Sequence, residues 1–321
     1  MQFVFESRLE SKDNVVCVDG LFESKLQISH WQGNRTPKEF KADTSTEMAF
    51  KLIESPEKKK HLTGIEIVSN NHFDADGLIS AYVLVHPSLA SEYKSSLINI
   101  ARTGDFAEFR TEDAVKANTV IEAMGDTENG FFKGEIKGKN YPAMMQLIYE
   151  KGFSMLPEII DNIDKFEQYW KTDFALFEKS EESFEKHESV FSNYADSRLS
   201  VIESPFDLHT VSRFSHAEFD IVLSVVKGGG GNRYQLEYKP ITWFDTGRKN
   251  TTERKPLEDL RKGLQALETS GAGEWQVLGK DPITEWDYRL VFMDKNFISR
   301  ASGIPLYEIE NILFGYFSTI R

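Results

Sequence analysis

The sequence predicts an α/β protein whose N-terminal domain is a parallel sheet with helices on both faces, followed by a smaller α+β domain. Over roughly the first half of the chain, short apolar runs alternate with helix-like stretches. That alternation is typical of a doubly wound parallel sheet. The pattern then changes, and several strand-like runs follow one another. The expected domains are residues 1–200, which include a charged bridging helix, and residues 201–321.

The predicted N-terminal elements begin with a buried strand at residues 15–18, which ends at Asp19-Gly20. Thr44-Ser45-Thr46-Glu47 is a capping-box pattern and predicts the start of a helix. The following predicted elements are, in order, a strand at 65–69 with a helix after it, a strand at 97–101, and helices at 111–124, 142–152 and 157–170.

The second half begins with a charge-rich stretch at residues 174–196, which we interpret as a solvated helix between the domains. Four glycines at 228–231 lie between two strand-like runs and predict a hairpin connection. The predicted elements of this half are strands at 206–211, 221–226, 233–238 and 288–293, a helix opened by Lys255-Pro256-Leu257, and a last helix that begins at Pro305.

Composition and charge limit the classes of function. The chain has 321 residues, 40% of them hydrophobic, and a formal net charge of −13, which disfavours charge-driven binding to duplex nucleic acid or anionic membranes. No apolar run approaches the roughly 20 residues that span a bilayer. Cys17 is the only cysteine, so no intramolecular disulfide is possible and a reducing cytoplasm is expected. The first residues lack the pattern of a secretory signal.

The most informative motif is His72-Phe73-Asp74-Ala75-Asp76, between an apolar run and a helix-like stretch. In an extended backbone, side chains at alternate positions share a face, so His72, Asp74 and Asp76 can point in one direction. Oxygen and nitrogen ligands of this kind suit Mn²⁺ or Mg²⁺. Ligands of open α/β sheets bind beyond the carboxyl ends of strands, where this motif would lie.

A structural explanation of the same motif stays open. Asp76 can cap the helix that begins at Gly77, with His72 in solvent. In that case the His-x-Asp-x-Asp string is a coincidental turn in an unrelated α/β protein. The sequence contains no Gly-x-Ser-x-Gly elbow, and no glycine-rich nucleotide-binding motif stands after a strand.

His72-x-Asp74-x-Asp76-Gly77 resembles the first motif of the DHH-type phosphoesterases. That superfamily includes single-strand exonucleases, cyclic-dinucleotide and nanoRNA phosphodiesterases, and manganese-dependent inorganic pyrophosphatases. The resemblance implies that the histidine and both aspartates bind metal. It also implies a further metal-binding aspartate at a nearby strand end, for which Asp105 is the positional match. Asp161 is a weaker match to another metal-binding aspartate of the family.

The chain departs from the family at the third motif, because no Asp-His-His is present. The nearest counterpart precedes the first motif: Asp19 ends a predicted strand, His30 follows, and residues 44–53 resemble the helix after the family's third motif. The resemblance therefore implies a permuted or rearranged domain in which Asp19 and His30 complete the metal shell.

The family's second domain often holds the substrate phosphate with a basic residue and a glycine-rich loop. Arg248, after Gly247, and Arg254 are the parallels here, and the resemblance implies that one of them orients the substrate. Arginine can bind a phosphate through two parallel hydrogen bonds.

Together these features predict a hydrolase of a phosphoester, phosphodiester or phosphoanhydride with two Mn²⁺ or Mg²⁺ ions. Asp74, Asp76 and Asp105 are the expected catalytic residues, with Asp105 as the bridging carboxylate. The expected substrate is a small phosphorylated molecule or a short oligonucleotide, and a homodimer is compatible with this prediction. The alternative is a non-catalytic DHH-like binding or regulatory module that retains the fold with one metal or none.

Overall fold

A computed structural model describes residues 1–128, 130–248 and 251–318. The chain divides into two compact units. The first contains Met1–Phe174 and the segment that begins at Phe244, and the second contains Ala175–Trp243 and the described residues from Thr251 onward. The main division thus falls after Phe174 instead of near residue 200, within a continuous helix, Glu167–Glu185.

The first unit contains a sheet of four short parallel strands, in the order β1-β4-β2-β3. Their bounds are β1 Gln2–Phe3, β2 Val15–Val18, β3 Leu26–Ile28 and β4 Ile67–Ser69. Every residue of β2 is buried, as expected for a central strand of a parallel sheet. The carboxyl ends of β4, β2 and β3 therefore lie side by side at one edge.

Helices make up most of the remaining first unit. Their bounds are α1 Ser45–Glu54, α2 Lys58–Leu62, α3 Ala75–Val85, α4 Pro87–Glu92, α5 Lys94–Phe106, α6 Glu112–Gly125, α7 Lys133–Ile136, α8 Tyr141–Asp161 and α9 Glu167–Glu185, the last crossing into the second unit. The predicted capping box is present: Thr44 accepts from the N–H of Glu47, whose side chain accepts from the N–H of Thr44. Helix α3 is buried from Ala75 to Leu84, which indicates a core helix.

Three predictions for this unit are wrong. Residues 97–101 lie in helix α5, not in a strand, because Leu97, Ile100 and Ala101 have the i, i+3, i+4 spacing of a buried helix face. Helix α8 continues past Gly152 to Asp161, with Pro157 inside it. The predicted helix at 157–170 is therefore the end of α8 and the beginning of α9, joined by a 3₁₀ turn, Ile163–Phe166.

The second unit contains a mixed sheet of six strands, in the order β5-β6-β7-β8-β10-β9. The strands are β5 Val190–Tyr194, β6 Leu199–Ser204, β7 Ile221–Val226, β8 Arg233–Tyr238, β9 Glu274–Leu278 and β10 Arg289–Met293, and the helices are α10 Thr210–His216, α11 Glu258–Leu267 and α12 Leu306–Phe317. Strands β6 and β7 are parallel, and the other pairs are antiparallel. The observed parallel sheet and mixed sheet confirm the predicted fold class.

The predicted strand at 206–211 is wrong, since β6 ends before Pro205 and helix α10 begins at Thr210. Residues 228–231 join the antiparallel strands β7 and β8, as the glycine run predicts. Among the described helices, none is long and apolar enough to cross a membrane.

Candidate metal centre

The carboxyl ends of three neighbouring strands provide five of the predicted metal ligands. Asp19 directly follows β2, and His30 lies two residues after β3. The loop after β4 carries His72 and Asp74, and Asp76 lies in the first turn of α3. Because β2 lies between β4 and β3, Asp19 lies between the side chains contributed by the other two strands. The sheet order therefore brings the motif together with Asp19 and His30.

A first group of side chains surrounds His30. Its Nε2 atom lies 3.1 Å from Asp19 Oδ1, 3.1 Å from Asp105 Oδ2 and 3.6 Å from Asp76 Oδ2. Each of the four residues offers one ligand atom, and these atoms all lie within 4.8 Å of one another. The side chains are between 0% and 6% exposed, so this group is closed to solvent.

A second group consists of Asp19, His72 and Asp74, with ligand atoms that again lie within 4.8 Å of one another. His72 Nε2 lies 3.2 Å from Asp19 Oδ2 and 2.9 Å from Asp74 Oδ2. The side chains of His72 and Asp74 are 25% and 44% exposed, so a solute can reach the candidate centre at this second group. Asp74, and not Asp76, caps helix α3: its Oδ1 accepts from the N–H of Gly77 at 2.8 Å.

Asp19 is the one described residue that belongs to both groups. Its Oδ1 faces His30 and accepts a 3.0 Å hydrogen bond from Ser45, whereas its Oδ2 faces His72. Its backbone has a φ of 44°, in the left-handed region that non-glycine residues rarely adopt. Strained conformations of this kind concentrate at functional sites. Asp19 is therefore the carboxylate that faces both histidines, one with each oxygen.

The N-terminus of helix α1 holds Asp76 in place. The backbone N–H groups of Ser45 and Thr46 donate to Asp76 Oδ2 at 2.6 Å and to Oδ1 at 2.8 Å. These N–H groups belong to the first turn of the helix, where intrahelical acceptors are absent. The helix dipole also favours a carboxylate at this end. The capping-box segment thus serves both as a helix start and as the anchor of a buried carboxylate.

Asp105 reaches the first group from the end of helix α5, not from a strand. The neighbouring Gly104 allows this approach, because a Cβ there would lie 2.7 Å from Asn118 Oδ1 and 3.0 Å from the Cβ of Ala75. A side chain at residue 104 would therefore press against α3 and α6. Asp105 thus lies near the end of a helix, not at the strand end where the sequence analysis expects it.

The tautomer of His30 follows from its other ring nitrogen. Nδ1 lies 2.6 Å from the backbone oxygen of Asp43, which can only accept, so Nδ1 donates. In the neutral ring, Nε2 then carries the lone pair and faces the acids, the arrangement of a metal-binding histidine.

The ionisable groups perturb one another strongly. Burial favours the neutral form of Asp19, but the nearby imidazoles of His30 and His72 outweigh it and hold the pKa of Asp19 below the ordinary range. Burial, with the charge of Asp19 adding to it, raises the pKa of Asp76 to about 7. Burial and the charge of Asp76 raise the pKa of Asp105 well above its ordinary value. Asp76 and Asp105 therefore hold a proton more readily than ordinary carboxyl groups, and a bound cation would compete with that proton.

The pKa values of the two histidines are raised, although burial alone would lower them. Burial lowers the pKa of His30, but Asp105 and Asp19 more than offset this and raise it well above the ordinary value. Burial also lowers the pKa of His72, and Asp74 and Asp19 again reverse the effect. In the absence of a cation, the neighbouring carboxylates thus favour the protonated form of each imidazole.

The residues fit a bound cation. Asp19 Oδ2, His30 Nε2 and Asp105 Oδ2 are buried and lack hydrogen-bond geometry, although His30 Nε2 lies close to both acids. Four aspartates belong to the two groups: Asp19, Asp74, Asp76 and Asp105. Among the described residues, they form ion pairs with His30 and His72 and with no lysine or arginine. Buried carboxylates without a basic partner are expensive unless they coordinate a metal. Carboxylate and imidazole ligands suit Mn²⁺, and Mg²⁺ prefers the oxygens.

The other predicted residues lie elsewhere. Arg248 belongs to the first unit, is 38% exposed, and pairs with Asp43 at 3.0 Å and with Glu108. Arg254 is buried in the second unit, where its guanidinium donates to Thr242 and to two backbone carbonyls. Burial lowers the pKa of Arg254 to about 10.

Asp161 lies at the end of α8, accepts a 2.7 Å hydrogen bond from Tyr93, and belongs to neither ligand group. It is an exposed carboxylate in the same unit as the candidate centre, and therefore provides a matched position for control substitutions.

Sequence reasoning missed the residues that position the ligands. The backbone groups of Asp43, Ser45 and Thr46 contribute here, and backbone groups leave no signature in residue type. Phe244 stacks on His30 with ring centroids 4.0 Å apart, from a position more than 200 residues later in the chain. Only the capping-box pattern at residues 44–47 gave a local signal.

Comparisons with known proteins give a family and a distant structural likeness. A family of unknown function (DUF6687) matches residues 1–318. No curated protein matches significantly. Among solved structures, a pGpG-specific phosphodiesterase, PggH, from Vibrio cholerae aligns over 97% of this chain and 100% of its own, with 13% identity and a TM-score of 0.35. A likeness this low carries no argument about fold or activity.

Proposed function

The chain belongs to the family of unknown function DUF6687, and we propose that it is a metal-dependent hydrolase of a phosphoester, phosphodiester or phosphoanhydride. The observation that carries this proposal is the shared position of Asp19 in two groups of potential ligands. Two adjoining cation sites that share one carboxylate are the arrangement used by many enzymes that cleave phosphate esters.

The two sites differ in their residues and in their access. Asp19, His30, Asp76 and Asp105 would hold a buried ion, and Asp19, His72 and Asp74 would hold a second ion at the exposed side. The proposed ions are Mn²⁺ or Mg²⁺. When bound, they would supply an activated water and neutralise charge on a phosphoryl group.

The chain's own residues would prepare this chemistry. Ser45 and Thr46 fix the carboxylate of Asp76 through two backbone hydrogen bonds, so that this carboxylate would keep its orientation when a cation binds. His72 and Asp74 form the open side, where a phosphoryl oxygen would enter.

Arg248 is the proposed substrate-orienting residue. Its guanidinium is partly exposed and pairs with the carboxylates of Asp43 and Glu108, and a phosphate would compete with these carboxylates for it. Arg254 does not enter the proposal, because it is buried in the second unit, where its Nε and Nη1 already donate to Thr242 and to two backbone carbonyls.

Hydrolysis assays with Mn²⁺ test this proposal. Bis(p-nitrophenyl) phosphate, p-nitrophenyl phosphate and pyrophosphate represent the diester, monoester and anhydride classes. We expect turnover of at least one, abolished by chelation and reduced at least about 100-fold by Asp19→Asn, since loss of a ligand exceeds the effect of a supporting residue. Asp161→Asn, an exposed acid outside both groups, is the matched control and should retain the rate within about twofold.

Two outcomes would overturn the proposed hydrolase activity. If Asp19→Asn hydrolyses every substrate at the wild-type rate, the hydrolase proposal fails. If the wild-type protein binds Mn²⁺ at two sites per chain but turns over none of the three classes, the non-catalytic binding module becomes the better description.

A further inference from the structure

We infer that residues 244–248 position the imidazole of His30 for cation binding, an inference that rests on the proposed function. This segment, called here the 244–248 segment, follows the strands β7 and β8 of the second unit in sequence but packs within the first unit. Three of its residues, Phe244, Asp245 and Arg248, act on His30 or on its partner Asp43.

The aromatic side chain of the segment sets the plane of the imidazole. Phe244 stacks on His30 with ring centroids 4.0 Å apart and an interplanar angle of 27°. Phe106 contacts both rings, with centroids 5.9 Å from His30 and 5.5 Å from Phe244. Because the His30 side chain is fully buried among these rings, rotation of the imidazole about χ2 requires Phe244 to move.

The backbone of the segment fixes the main chain of His30. The N–H of Asp245 donates to the backbone oxygen of His30 at 2.6 Å. The carboxylate of Asp245 is itself held by Lys41 Nζ at 2.5 Å and by Asn34 Nδ2 at 3.0 Å. The backbone of His30, in the loop after β3, is thus hydrogen-bonded directly to the 244–248 segment.

Arg248 of the segment holds Asp43, whose backbone oxygen accepts the hydrogen bond from His30 Nδ1. Arg248 Nε donates to Asp43 Oδ2 at 3.0 Å, and the backbone oxygen of Asp43 accepts from His30 Nδ1 at 2.6 Å. Arg102 donates to the same carboxylate oxygen at 3.0 Å. Ring plane, main chain and tautomer are therefore each constrained by this segment, which leaves Nε2 directed at Asp19 and Asp105.

Phe244→Leu in the full-length chain tests this inference, because it removes the ring but keeps an apolar side chain. We expect the dissociation constant for Mn²⁺, measured by titration, to rise about tenfold or more. Phe244→Tyr, which keeps an aromatic face, should restore affinity to within about twofold of wild type. The matched control is Phe131→Leu, because Phe131 also stacks on an aromatic ring, that of Tyr169 at 3.5 Å, but contacts no proposed ligand.

A second measurement does not depend on cation binding. In histidine-labelled, chelator-treated protein, the Nδ1–H resonance of His30, assigned by its loss in His30→Gln, should be sharp in the wild type and in Phe131→Leu. In Phe244→Leu it should broaden or disappear. A general loss of stability would affect both leucine variants, whereas loss of positioning affects only Phe244→Leu.

The failure of this inference is distinguishable from failure of the proposed function. Absence of Mn²⁺ binding by the wild-type protein would overturn the proposed function, and the resonance would still decide the role of Phe244. An unchanged His30 Nδ1–H signal in Phe244→Leu would overturn the inference whether or not the protein binds a cation.

Discussion

Asp76 of helix α3 accepts a 2.6 Å hydrogen bond from the backbone N–H of Ser45, the first residue of helix α1. This bond joins two helices that lie more than 20 residues apart in sequence, and it does so at a buried carboxylate of the proposed metal centre. The same carboxylate therefore has a structural role and a proposed ligand role, which substitution can separate.

At pH 5, below the raised pKa of Asp76, Asp76→Ala should lower the free energy of unfolding of the chelator-treated protein by about 1–3 kcal/mol, because two buried N–H donors lose their acceptor. The measurement is urea unfolding followed by circular dichroism. Asp105→Ala is the comparison, since among the described residues no backbone donor bonds to the Asp105 carboxylate, and its cost should be smaller. Equal losses for the two variants would contradict the anchoring role of helix α1.

The two proposed cation sites should fill with different affinities. The buried group offers four residues and the exposed group three, so calorimetry of the wild-type protein with Mn²⁺ should resolve a tighter and a weaker event. Asp74→Ala should remove the weaker event and Asp105→Ala the tighter one. If Asp74→Ala removed the tighter event instead, this assignment of the two groups would be wrong.

Gly104→Ala should destabilise the protein by about 1–3 kcal/mol, because the added Cβ would lie 3.0 Å from that of Ala75 and 2.7 Å from Asn118 Oδ1. The better helix propensity of alanine offsets only part of this cost. Gly263→Ala in helix α11 is the control: nothing lies within 4 Å of its Cβ, so it should stabilise by roughly 0.5–1 kcal/mol. Thermal unfolding shows whether each substitution stabilises or destabilises the protein. Stabilisation by Gly104→Ala would refute the close packing of Gly104 against Ala75 and Asn118.

Glu268 makes the second unit sensitive to acid. Burial raises the pKa of this carboxyl, but hydrogen bonds from Ser302, Ser270 and Gly303 outweigh it and lower the pKa to about 2. The bonds are short, at 2.5 Å from Ser302 Oγ and 2.8 Å from the N–H of Gly303. A lowered folded-state pKa means that the carboxylate stabilises the fold above its unfolded pKa, and that this stabilisation is lost as the pH falls from about 4.5 toward 2.

Glu268→Gln should therefore reduce stability at pH 7 and flatten its decrease between pH 5 and pH 3, measured as the urea midpoint of the second unit. Glu253→Gln, at an exposed glutamate of the same unit, should follow the wild-type curve. A wild-type pH dependence retained in Glu268→Gln would show that other carboxyl groups dominate acid unfolding.

The sequence alone located most proposed ligands, because the pattern of a strand followed by an acid is local. Asp19 after β2 and the His72–Asp76 motif after β4 each follow from an apolar run and its end. Their meeting depends on the order β4-β2-β3, which the sequence does not specify but which parallel topology makes natural. The short apolar run 97–101 fits either type of element, so the sequence predicts a strand before Asp105 where the structure has helix α5.

What the sequence could not show is the support around the ligands. The contact of Phe244 with His30 joins positions 214 residues apart, and a single phenylalanine carries no pattern that indicates it. The left-handed backbone of Asp19 is equally invisible, since Asp-Gly predicts only a turn. These features follow from tertiary packing, which decides where local motifs converge.

Anomalous diffraction from crystals soaked in Mn²⁺ would show whether two cations share Asp19. We expect two peaks roughly 3.5–4 Å apart, both within coordination distance of the Asp19 carboxylate, one also next to His30 and the other next to His72. A single peak away from Asp19, or no peak at saturating Mn²⁺, would rule out the shared carboxylate.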